Sequence, residues 1–76
     1  MFELNDLRGN FNYYYDFYIS AKEKSYSEAG RKHSISQSSL SRSVQQLENI
    51  LDLKLLKTNN KGFELTLDGE RIYNKL

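Results

Sequence analysis

Between Ser36 and Arg42 the sequence reads Ser-Gln-Ser-Ser-Leu-Ser-Arg, and Gln45 and Asn49 follow at intervals of three and four. Hydroxyls, amides and a guanidinium are the groups that hydrogen-bond base edges and phosphate oxygens. The stretch from Ser34 to Leu47 holds no carboxylate that would repel a polyanion. A further cation, Lys61, stands between Asn60 and Gly62 in what reads as a turn. A flexible ammonium at a hairpin tip is a point charge, suited to tracking a phosphate backbone and unsuited to fixed bidentate reading. Other chemistries find little support. His33 is the sole histidine and there is no cysteine. No carboxylate pair or glycine-rich phosphate loop occurs at a recognisable spacing, and the potential metal ligands are too scattered to form a set. We expect no catalytic residue, no metal and no cofactor.

These residues must be held by an element, and the apolar spacing supplies it. Leu40, Val44, Leu47 and Leu51 recur at i, i+4, i+7 and i+11 and predict a helix over about Gln37 to Leu51, with Ser36 as N-cap. At 100° per residue, Ser38, Arg42, Gln45 and Asn49 lie opposite that stripe, with Ser41 on its flank. Any solvated helix has a polar outer face, but a run of uncharged donors in place of the usual Glu and Lys favours contact over mere solvation.

Upstream, Ser25-Tyr26-Ser27-Glu28 has the form of a reciprocal capping box and starts a short helix at Tyr26 that ends near His33. Gly30 lies inside it at a cost of about 1 kcal/mol against alanine, which points to a helix crossing too closely for a larger side chain. The turn Ser34-Ile35-Ser36 follows, with Ile35 packing inward. Tyr14, Phe17, Tyr18 and Ala21 form one face of a first helix over about Phe11 to Lys24, broadened by Tyr15 and Ile19. Residues 1–10 have no strong period and read as an N-terminal arm. Beyond Leu51, Leu53 to Lys57 and Gly62 to Leu65 read as two strands around a Thr58-to-Gly62 turn. Thr66 then caps a fourth helix running to Leu76, whose apolar edge Ile72, Tyr73 and Leu76 would support at most a weak homodimer.

With 76 residues and neither Pro nor Cys, the chain makes one domain stabilised by packing alone, with six Tyr and four Phe dominating its core. No apolar run approaches the ~20 residues needed to span a bilayer, and no signal-type segment follows Met1. The expected location is cytoplasmic, with no membrane partner. The net charge is only +1, but it is unevenly placed. Ala29 to Lys61 holds six basic residues against two acidic, a net +4, while the rest holds five against eight, a net −3. Such a split suggests an oriented basic surface.

The order helix, helix, turn, helix, hairpin, helix resembles the N-terminal DNA-binding domain of LysR-type transcriptional regulators. Ser25-Tyr26-Ser27-Glu28-Ala29-Gly30 is similar to that family's S-F-T-x-A-A, and Ile35 to Arg42 is similar to its V-S-Q-P-A-L-S-R. Leu47-Glu48, Leu55-Leu56 and Gly62 to Gly69 match its later motifs, so the likeness covers about Tyr14 to Tyr73. It implies a mainly α winged helix-turn-helix: a three-helix core, a two-stranded β-hairpin wing and the start of a fourth, linker helix. Residues 11–65 would be the DNA-binding domain and 66–76 the start of the linker and dimerisation helix. By position, Gln37, Ser38, Ser39, Ser41 and Arg42 would approach the major groove of double-stranded DNA, joined on the same face by Gln45. Lys61 would sit on the wing beside phosphates or the minor groove. Ser38 stands where the family has Pro, Lys24 and Asp52 where it has Gly, His33 at a normally apolar site and Thr58 where it has Arg. Asp tolerates left-handed geometry better than most residues but worse than Gly, so the helix end at Asp52 is expected to be strained or shifted, and His33 is expected to be a half-buried helix-end residue. The effector-binding domain of the family has no room in the eleven residues from Thr66 onward. The alternative is a winged helix used for protein contact through its first or fourth helix, favoured by the low overall charge and opposed by the Ser-Gln-Ser-Ser-Leu-Ser-Arg face.

Overall fold

The computed structural model describes the backbone of residues 4–60 and 62–76, and side chains from Asn12 onward with Lys61 excepted. The order is α1 (Leu4–Glu23), α2 (Tyr26–His33), α3 (Gln37–Leu51), β1 (Leu56–Asn59), β2 (Gly62–Leu65) and α4 (Leu67–Asn74). Helix α1 begins well before Phe11, so the described part of the expected arm is helical and Asn10 and Asn12 are interior residues. Helix extension adds one hydrogen bond for each residue ordered once a nucleus exists, and Gly9 weakens that extension without ending it.

The core forms where α1 crosses α3. Tyr14, Phe17 and Ala21 of α1 pack with Val44 and Leu47 of α3 and with Leu55, and Ile19 packs with Ala29 of α2 and Leu40. The apolar stripe of α3 is therefore the buried one, with Leu51 half-buried and Ile35 packed inward from the turn. Tyr15 departs from expectation: it is exposed, with its hydroxyl 3.3 Å from Nδ1 of His33 and the two rings edge to face at 6.1 Å. His33 is exposed as well, not half-buried. Among the described residues of α1, two polar side chains, Asp16 and Ser20, are buried. Asp16 accepts a 2.6 Å hydrogen bond from Ser43 Oγ of α3, and the Ser20 hydroxyl has no partner among the described residues.

Ser25 caps α2 by accepting the Glu28 amide at 3.2 Å, but the Glu28 carboxylate turns to Arg31 Nη2 at 2.8 Å and does not close the reciprocal half of the box. A β-carbon on Gly30 would collide with the Ile35 carbonyl. The tight approach inferred from this glycine is real, and the crowding backbone belongs to the turn rather than to a crossing helix. Helix α3 ends where the apolar stripe ends, with Asp52 in left-handed geometry at φ 56° and its amide donating to the Glu48 carbonyl.

The hairpin is displaced from the sequence-based expectation. Leu56 pairs with Leu65 and Asn59 with Gly62 in an antiparallel register, so β1 starts three residues later than Leu53 and takes in Thr58 and Asn59. The cause lies in α3: Glu48 Oε2 accepts the Leu55 amide at 2.8 Å and the Leu56 amide at 3.4 Å, which keeps the segment before Leu56 out of the ladder. Thr66 caps α4 as expected, accepting the Gly69 amide at 3.0 Å and donating to the Lys54 carbonyl at 2.5 Å. Helix α4 closes at Asn74, short of Leu76. Ile72 and Tyr73 do not form a free edge. They pack on the core, and the Tyr73 ring stacks on Tyr18 at 5.1 Å. No helix among the described residues is long and apolar enough to cross a membrane.

Candidate nucleic-acid interface

The outer face of α3 is built from its N-cap outward. Ser36 Oγ accepts the Ser39 amide at 3.2 Å and donates to Ser39 Oγ at 2.8 Å, and it lies 3.4 Å from Ser38 Oγ. Three hydroxyls are thus gathered at the positive end of the helix dipole, where anionic groups are favoured. Gln37, Ser38, Ser39, Arg42, Gln45 and Asn49 are all exposed. Ser41 is half-buried beside the Tyr26 phenol, which leaves it less free than its neighbours. Gln46 and Ile50 are also exposed on α3, and the sequence reading did not select them. Lys61, the expected wing contact, lies outside the described residues.

Electrostatics separate these residues from the rest of the basic stretch. Arg31 pairs with Glu28 at 2.8 Å, Lys32 with Glu23 at 2.9 Å, Lys57 with Glu64 at 3.3 Å and Lys54 with Glu48 at 4.0 Å. Four of the six basic residues behind the +4 read along the chain therefore have a carboxylate close by. Arg42 has no ion-pair partner among the described residues. Glu48, the first carboxylate of α3, is turned to the Leu55 and Leu56 amides, with its side chain 13% exposed. An unpaired guanidinium among uncharged donors, with the carboxylate withdrawn, can meet a polyanion without first breaking an internal pair.

Burial pushes the Tyr26 phenol above its ordinary value, the nearby Glu48 charge adds to the rise, and the Ser41 hydrogen bond opposes it. Tyr73 is raised by desolvation and by Tyr18. The Arg31 guanidinium holds the Glu28 carboxyl below the usual range. No cluster of potential metal ligands occurs among the described residues.

Residues 11–70 match the family described as bacterial regulatory helix-turn-helix protein, lysR family. The chain belongs to this family. It is 38% identical over 60 residues to the uncharacterized HTH-type transcriptional regulator YfeR of Shigella flexneri, covering 79% of this chain and 20% of that protein. To the HTH-type transcriptional regulator DsdC of Escherichia coli (strain K12) it is 33% identical over 57 residues, covering 75% and 18%. The chain thus spans about a fifth of the length of the curated relatives it matches. Among solved structures, the BenM DNA-binding domain in complex with catB site 1 DNA is 30% identical with a TM-score of 0.78, over 84% of this chain and 69% of that one. The DNA-binding domain of CbnR in its DNA complex is 28% identical with a TM-score of 0.81, over 86% and 75%. The winged helix-turn-helix architecture expected from the sequence is the architecture of these LysR-type domains.

Proposed function

We propose that this LysR-type domain binds double-stranded DNA sequence-specifically as the reading head of a transcriptional regulator, with α3 in the major groove. The observation that carries the reading is the outer face of α3, where Arg42 has no ion-pair partner among the described residues and stands among exposed Ser, Gln and Asn side chains, and where Glu48 is folded away. Solved relatives in complex with DNA support DNA binding. Arg42 and Gln37, the long donors near the start of the helix, read base edges. Ser38, Ser39, Ser41 and Gln45 make shorter contacts to bases or phosphates, and Lys61 neutralises backbone phosphate from the wing. The chain's place of work is then the cytoplasm, where a bacterial-type regulator meets its DNA. The test is selection of duplexes from a random pool, followed by titration of a selected and a random duplex over a range of salt concentrations. A salt-dependent affinity for both with a clear preference for the selected duplex supports the reading. Absence of any salt-dependent binding refutes it and points instead to a protein partner.

A further inference from the structure

The turn between α1 and α2 holds a cation in a conformation that opposes it. Lys24 has φ 56°, in the left-handed region where a β-carbon is crowded and glycine is not. Its amide donates to the Ala21 carbonyl at 3.2 Å and its side chain is exposed. It makes no ion pair among the described residues, although Glu64 and Glu70 line the same shallow groove. Two parts of the proposed interface border this turn. At the turn end of the wing, where Asn59 pairs with Gly62, a β-carbon on Gly62 would stand 2.9 Å from the Lys24 carbonyl oxygen. Two residues along the chain, Tyr26 packs on Phe63 of β2 at 4.8 Å, and its phenol lies near Ser41 of α3. Packing therefore joins the flank of α3 and the wing to the segment that carries Lys24.

We propose that Lys24 is a phosphate-binding residue, its ammonium neutralising a backbone phosphate of the duplex that lies between those met by α3 and by the wing. The proposal rests on the DNA-binding reading above. An exposed, unpaired lysine at this junction offers a point charge on a long stem, which suits a phosphate and not a base edge. Its backbone geometry is a local cost that a glycine would relieve, so stability and binding make opposite demands on this position.

Lys24→Gly separates the two demands, and because it relieves the backbone it does not threaten folding. The variant should unfold at a higher urea concentration than the wild type. It should also bind selected and random duplexes more weakly by a common factor, with the slope of log affinity against log salt smaller in magnitude by about 0.9. Lys24→Ala should lose the same slope without the gain in stability, and Lys24→Arg should keep it. A wild-type slope retained by both the Gly and Ala variants overturns the proposal, leaving Lys24 as a counter-charge to Glu64 and Glu70 and the DNA-binding reading intact. A loss confined to the selected duplex also overturns it, by making Lys24 a base reader. A wild type without salt-dependent binding overturns both.

Discussion

Arg42 draws its importance from what surrounds it. Arg31, Lys32, Lys54 and Lys57 of the central stretch have carboxylate partners, whereas Arg42 meets none among the described residues and stands among amides and hydroxyls. Arg42→Ala should weaken binding to a selected duplex by about 1 to 3 kcal/mol and random DNA by less. Equal losses on both, measured in one titration series, would make it a phosphate contact. Tyr26 gives a prediction in pH. Its raised folded value means that the unfolded chain loses the phenolic proton first, so its contribution is complete below about pH 10 and is lost as pH climbs through the folded value. Stability should therefore fall on the alkaline side, and Tyr26→Phe should flatten that fall. An identical alkaline profile for the two proteins would show that Tyr26 is not its source. Asp16, Ser43 and Glu48 carried no signal as polar core contacts in the sequence, because their partners lie on other elements or past a helix end.

At the scale of elements, Glu48 joins the reading helix to the wing. Its carboxylate accepts two amides at the start of β1, one of them from Leu55, a fully buried residue. Removing a charged acceptor leaves a buried donor unpaired, so Glu48→Ala should destabilise the domain by about 2 to 3 kcal/mol, and Glu48→Gln by clearly less. Urea unfolding of the two variants checks this, and an alanine variant within about 0.5 kcal/mol of wild type, the usual scatter of a surface change, removes the proposed tie. The wing tip makes a separate claim. Lys61→Ala should reduce the salt slope by about 1 or less and weaken selected and random duplexes by the same factor. An unchanged slope would leave Lys61 a solvated turn residue. Periodicity read α3 and its N-cap to the residue, because Ser36 and the leucine stripe are local signals. It misplaced the start of β1, because the Glu48 carboxylate that holds Leu55 and Leu56 reaches them from another element.

Taken whole, the molecule partly covers the surface that the sequence had left for self-association. Ile72 and Tyr73 pack on its own core, and the large apolar side chains left exposed at this end are Leu67 and Leu76. Sedimentation at micromolar concentration should therefore show mostly monomer, and a tight dimer there would contradict this packing. Occupied half-sites should then lie about one helical turn, or a multiple of it, apart, with modest cooperativity. The sequence alone determined the order of helices and hairpin, the buried stripe of α3, the serine and threonine caps and the exposed donors opposite that stripe. These depend on spacing along one element, and helical period and capping chemistry are properties of a few neighbouring residues. Only the tertiary structure decided which charges are free, since Lys32 finds Glu23 and Lys57 finds Glu64 across element boundaries. It also decided that Asp16 meets Ser43, that Tyr73 stacks inward on Tyr18, and that Lys24 lies against the wing. Each of these is a contact between residues distant in sequence, and distance along a chain carries no record of which side chains folding will bring within a few ångströms.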